Sequence, residues 1–138
     1  MAYDPLTKTI VLFGGNNGAG DCCSVSYNDS WTWNGVNWLQ QFPFVSPPAR
    51  AAQSMAYDPS LLQVVMTGGF STPGQGLSDE WAWSGTTWTQ LNLPSEPSAR
   101  WASGMDFDLL TNGLVLFGGE TTGDNVTNQT WLLIPVPL

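Results

Sequence analysis

The chain states one phrase three times. "MAYDPLTKTIVLFGG" opens at Met1, "MAYDPSLLQVVMTGG" at Met55 and "MDFDLLTNGLVLFGG" at Met105. Asp4, Asp58 and Asp108 each stand ten positions before a Gly-Gly pair, namely Gly14-Gly15, Gly68-Gly69 and Gly118-Gly119. Downstream, Trp31, Trp81 and Trp131 fall 50 apart, and Trp33/Trp83, Gly35/Gly85, Trp38/Trp88 and Arg50/Arg100 keep the same step. The first period is 54 because four extra residues lie in "NNGAGDCCSVSYNDS". A fixed period of this size is the signature of a repeat architecture, in which each unit buries its apolar surface only against its neighbours. Length variation confined to one loop leaves the framework fixed and that loop free to vary. The repeats run approximately 1–54, 55–104 and 105–138, a single unit of organisation over residues 1–138.

Within each repeat the pattern is that of strands. "QVVMTGG" and "GLVLFGG" are short apolar runs closed by glycines, and "EWAWSGTTWTQL" alternates Trp with small residues. No segment holds a 3.6-residue period. In the middle repeat four strands are predicted, over Ala51–Tyr57, Leu62–Thr67, Glu80–Trp83 and Thr87–Leu91. Asn34-Gly35 and Ser84-Gly85 read as tight turns between the last two, with glycine taking the positive φ. In "YDP", Pro59 fixes φ while the Asp58 carboxylate caps nearby amides. A four-stranded meander recurring every 50 residues, with Trp on two strands, is the sequence pattern of a propeller blade.

These elements together resemble the kelch-repeat β-propeller family, of the bacterial type. The matching features are Arg50 and Arg100 before the first strand, the residues leading to Tyr-Asp or Phe-Asp, the "LFGG" or "MTGG" ending the second strand, the "DxWxW" of the third and the single Trp of the fourth. The resemblance covers nearly the whole chain and implies an all-β fold of about three four-stranded antiparallel blades, the last incomplete. For function it implies a range: protein-binding modules, carbohydrate-binding domains and, with added residues, copper oxidases. The last needs His ligands, and the chain has no His.

Trp31, Trp81 and Trp131 are expected to fill the wedges between blades, each burying roughly 150–250 Å²; a role as sugar-stacking platforms is the alternative. The glycine pairs read as sites of close backbone packing, since no Walker lysine follows them. Met1 is in register with Met55, and Leu138 with Trp88, so three repeats lack one strand and its connection. Three blades do not close a ring, for which four to eight are typical. Two expectations follow: a second copy completes a six-bladed, two-fold ring, or the chain is part of a longer array.

Charge and chemistry narrow the partners. Eleven acids against Lys8, Arg50 and Arg100 give a formal net charge of −8, which disfavours nucleic acid and anionic membrane surfaces. No apolar run is long enough to span a bilayer as a helix, and no basic-then-apolar leader precedes the repeats. Without His, the usual general base and metal ligand are missing, so neither cofactor nor metal is expected. A carboxylate-pair glycosidase is the remaining enzymatic alternative.

Candidate ligand-binding residues are Arg50, Arg100, Trp101, Asp21 and Phe70. The arginines read either as struts or as a guanidinium ring gripping an acidic group. Trp101 breaks the repeat, its counterpart being Ala51, and reads as packing or as ligand contact. Cys22-Cys23, in the enlarged loop, reads as a strained vicinal disulfide, two thiols or bridges to another chain. The abundance of Thr, Asn and Trp leans towards an extracellular setting. The face formed by the second-to-third-strand and fourth-to-first-strand loops, carrying Phe42, Phe44 and Phe70, is the expected binding face. The function implied is a non-catalytic recognition or assembly module for a protein or glycan; the alternative is a fragment or subunit of a larger propeller enzyme or lectin.

Overall fold

In the computed structural model, which describes residues 1–18, 25–71, 75–123 and 125–134, the chain is all-β. The first repeat supplies β1 (Ala2–Asp4), β2 (Thr9–Asn16), β3 (Ser26–Trp33) and β4 (Trp38–Gln41), hydrogen-bonded in that order into one antiparallel sheet. The second supplies β5 (Ser54–Asp58), β6 (Gln63–Thr67), the short hairpin β7 (Phe70–Ser71) and β8 (Gln75–Gly76), then β9 (Glu80–Trp83) and β10 (Trp88–Leu91). Its main sheet runs β5-β6-β9-β10. The third supplies β11 (Arg100–Trp101), β12 (Gly104–Asp108), β13 (Gly113–Phe117), β14 (Glu120–Thr121), β15 (Asn125–Val126) and β16 (Thr130–Leu133). There the main sheet is β12-β13-β16, and β11-β14-β15 forms a second small sheet. Among the described residues no helix is long and apolar enough to cross a membrane.

The expected strands of the middle repeat are present, with one correction. The first starts at Ser54 rather than Ala51, because Ala52 adopts φ 54° and breaks the extended run. Ala51 instead bridges Phe70 across the neighbouring loop. Ala102 repeats this kink with φ 54°. A second set of left-handed residues, Lys8, Leu62 and Asn112, closes the hairpin between the first two strands of each repeat. There the repeated aspartates act as expected: Asp4 accepts the Leu6 N–H at 2.9 Å, Asp58 the Ser60 N–H at 2.8 Å and Asp108 the Leu110 N–H at 3.1 Å.

Each sheet has two faces, set by the two-residue period of its strands. One carries the tryptophans. In the second sheet this face comprises Val64, Met66, Trp81, Trp83 and Trp88, and it packs on Val11 and Phe13 of the first sheet. The opposite face, with Ala56, Val65 and Ala82, packs on Leu114, Leu116 and Leu133 of the third sheet. The middle sheet is therefore buried on both sides, and Trp83 and Trp88 are each 1% exposed. Trp81 is buried; Trp31 is half-buried on the outer face of the first sheet, and Trp131 is half-buried at the junction between the second and third sheets.

Candidate functional site

The connections between sheets define one end of the molecule. The segments before the second and third main sheets, at Arg50 and Arg100, are each held between two stretches of the preceding repeat. Arg50 N–H donates to the Tyr27 carbonyl of the first repeat, and the Arg50 carbonyl accepts from Gly15 N–H at 2.9 Å. Arg100 repeats the arrangement, with N–H to Leu77 O and carbonyl to Gly69 N–H at 2.8 Å. This explains the paired glycines. A Cβ on Gly14 would stand 2.5 Å from the Arg50 carbonyl oxygen, and one on Gly68 would collide with that of Arg100.

The arginine side chains are struts. Arg50 is fully buried and meets Asp79 bidentately, with Nη1–Oδ1 at 2.8 Å and Nη2–Oδ2 at 2.7 Å. Its remaining donors reach Gly68 O at 3.0 Å and Pro48 O at 3.1 Å. Asp79 also accepts from the Trp81 indole at 2.6 Å. Burial alone would push the Asp79 carboxyl up, but the hydrogen bonds from Arg50 and Trp81 and the Arg50 charge outweigh it and hold the group below its ordinary range. Arg100, 2% exposed, reaches Gly118 O at 3.1 Å and Ser98 O at 3.0 Å. Its position corresponding to Asp79 is Gln129, which accepts at 2.9 Å without supplying a charge. With both guanidinium groups buried and engaged inside the chain, neither is presented to a ligand, which corrects the guanidinium-ring reading.

Trp101 and Phe70 are brought together. Their ring centroids lie 5.9 Å apart at 72°, edge to face. Trp101 lies over the β7–β8 hairpin, where a Cβ on Gly76 would come within 3.1 Å of its ring. Its indole N–H donates to Glu120 Oε2 at 3.1 Å. All three side chains are half-buried. The position that pairs Ala51 with Phe70 in the second repeat pairs Trp101 with Glu120 in the third. Glu120 was not singled out from the sequence; its signal is this joint replacement at two registered positions. The fourth-to-first-strand loop adds Phe42 and Phe44, 85% and 99% exposed. Asp21, Cys22 and Cys23 lie outside the described residues.

One further titratable group is unusual. Glu80, 1% exposed, sits at the start of β9 on the face turned towards the third sheet. Its Oε1 accepts from Thr67 Oγ1 at 3.4 Å, while Oε2 has no partner. Burial, reinforced by the charges of Glu96 and Asp79, pushes its pKa up to about 8. Among the described residues no three His, Cys, Asp or Glu side chains are grouped so as to hold a metal ion. A shallow open cleft of about 270 Å³ is lined by Gln129, Thr130 and Trp131.

The architecture is thus an all-β chain of successive small antiparallel sheets, joined through buried arginine straps and bearing an aromatic cluster on the loop end. No protein-family model matches it, and no curated protein matches it. Among solved structures it is similar to one described as "Structure of YjhT", with a TM-score of 0.69 over 90% of this chain at 17% identity. The chain spans 39% of the length of that protein, and at this identity the likeness is one of fold alone.

Proposed function

We propose that the chain is a set of kelch-type propeller blades acting as a non-catalytic recognition module, which takes a protein or glycan on its loop face. The observation that carries this reading is the cluster of Phe70, Trp101 and Glu120, together with the exposed Phe42 and Phe44 of the first fourth-to-first-strand loop. Aromatic rings next to a carboxylate suit a ligand with an apolar face and hydroxyl or amide donors. Binding rather than catalysis is supported by the state of the repeated acids. Asp4, Asp58 and Asp108 cap turns, Asp79 holds Arg50, and Asp29 accepts from the Trp31 indole at 2.5 Å. A glycosidase needs two carboxyl groups facing one site, and among the described residues the carboxylate at the aromatic cluster, Glu120, is tied to Trp101.

A second reading, part of a larger propeller enzyme or lectin, is favoured by the chain matching 39% of the length of YjhT. The test is binding of the purified chain to arrays of glycans and of peptides, repeated with Trp101→Ala and Glu120→Gln. Ligands lost by both variants, with thermal unfolding retained, support the loop-face site. Ligands bound equally by wild type and both variants would move the site elsewhere. Hydrolysis of a bound glycan, abolished by Glu120→Gln, would replace recognition with catalysis.

A further inference from the structure

The two outer faces of the stack are the two halves of a junction that already exists inside it. At the inner junction between the first and second sheets, Trp88 is the knob. It is tilted 46° against Trp83 at 5.2 Å and meets Phe13 edge to face at 5.3 Å. Its indole N–H donates to Ser30 Oγ at 2.9 Å. The hole is therefore a cross-strand pair on the first sheet, an aromatic and a hydroxyl, Phe13 opposite Ser30.

The same knob stands uncovered on the outer face of the first sheet. Trp38, one period before Trp88, is 42% exposed and tilted 48° against Trp33 at 5.6 Å. Ile10, Leu12 and Trp31 share that face by register. The same hole stands uncovered on the outer face of the third sheet. Phe117 lies opposite Thr130, again an aromatic paired with a hydroxyl, and Phe117 is 55% exposed. Val115 and Leu132, the latter 43% exposed, complete it. The middle sheet differs at these two positions, with Thr67 opposite Glu80. The aromatic and hydroxyl hole thus occurs on the first and third sheets, and the double-Trp knob on the first and second.

We infer that the outer Trp face of the first sheet docks on the outer face of the third sheet of a second copy of this chain, with Trp38 entering between Phe117 and Thr130. The contact joins two different surfaces, so it either closes or runs on as a filament. Two copies that exchange it reciprocally make six sheets, within the four to eight that close a propeller ring. Closure rests on the blade reading above; the match of the two faces rests on the inner junction alone. A second copy is favoured as occupant because this one chain carries both halves of the junction, Trp38 on one outer face and the Phe117–Thr130 pair on the other.

The test is mass in solution by light scattering after size exclusion, on wild type, Trp38→Lys and Phe117→Lys. Both side chains project from exposed positions, and circular dichroism checks that each variant remains folded. Wild type is expected at twice 14.9 kDa, and each variant at half the wild-type mass. An equimolar mixture of the two variants should regain the dimer mass, because a mixed pair carries both lesions at one junction and leaves the other intact. Failure of mixing to restore a dimer, or a monomeric wild type, overturns the inference; an open-ended assembly that both variants abolish overturns ring closure and upholds the match of the two faces. Ligand binding by the Phe70–Trp101 cluster is scored separately, so its loss or persistence does not decide this result.

Discussion

Glu80 should make the stability of this chain fall as pH rises through neutrality. In the unfolded chain the carboxyl titrates near the ordinary value of 4.5; in the folded chain burial and the neighbouring Glu96 and Asp79 charges hold it protonated up to about pH 8. Below the lower value both states carry the proton and the group has no effect. Between the two values the unfolded state has released the proton while the folded state retains it, so unfolding is increasingly favoured by about 1.4 kcal/mol per pH unit. The penalty is under about 1 kcal/mol at pH 5 and about 4 kcal/mol at pH 7.5. Replacing Glu80 by Gln keeps the shape and the Thr67 hydrogen bond but removes the proton equilibrium. Urea unfolding at one protein concentration, from pH 5 to 8, should show wild type losing stability across the range. The variant should match wild type at pH 5 and exceed it by about 3–4 kcal/mol at pH 7.5. A wild-type curve that is flat over this range, or a variant that falls in parallel with it, would refute the reasoning.

The arginine straps make further predictions. Arg50→Met strips the half-buried Asp79 of its countercharge and should cost about 2–3 kcal/mol in urea unfolding, less than for a fully buried pair, with strong coupling to Asp79→Asn in a double-mutant cycle. Because Asp79 titrates below its ordinary value of 3.8, its contribution is fully present above that pH and is lost as pH falls through the folded-state value; acid unfolding of Asp79→Asn should start from lower stability and show a shallower slope. Gln129→Asp gives Arg100 the carboxylate that Arg50 already has, and should raise stability by about 1–2 kcal/mol in thermal melts. Leu62, 55% exposed at φ 57°, pays for a left-handed conformation that Asn accepts more readily; Leu62→Asn, the residue found at 112, should gain up to about 1 kcal/mol.

Much of the framework was legible because the repeat states it three times. The hairpins at Asn34-Gly35 and Ser84-Gly85 appear as expected, each as a four-residue loop between paired tryptophans, with Gly35 at φ 96° and Gly85 at φ 95°. The turn role of Asp4, Asp58 and Asp108 and the close backbone approach at the glycine pairs were also readable. The short strands β7, β8, β11, β14 and β15 were not, since two residues are too few to show a period. Nor was the division of labour between Arg50 and Asp79, which lie 29 positions apart in sequence.

The chemistry lies where the repeat lapses. Asp79 becomes Gln129, and a neutralised strut becomes a buried cation with an amide partner. Ala51 opposite Phe70 becomes Trp101 opposite Glu120, and a small bridge becomes an aromatic and acidic cluster. Ser30 becomes Glu80, and a hydroxyl that receives an indole becomes a carboxyl with an orphan oxygen. Aligning the repeats exposes each of these substitutions. What alignment alone does not give is their surroundings, because the same register position is buried in the middle sheet and open at either end of the stack. Trp88 and Trp38 are one residue in the repeat, yet the first is sealed by Phe13 and the second is 42% exposed. Residue identity therefore determines what a position can bind, and its place in the array determines whether the partner is another sheet of the same chain or has to come from outside it.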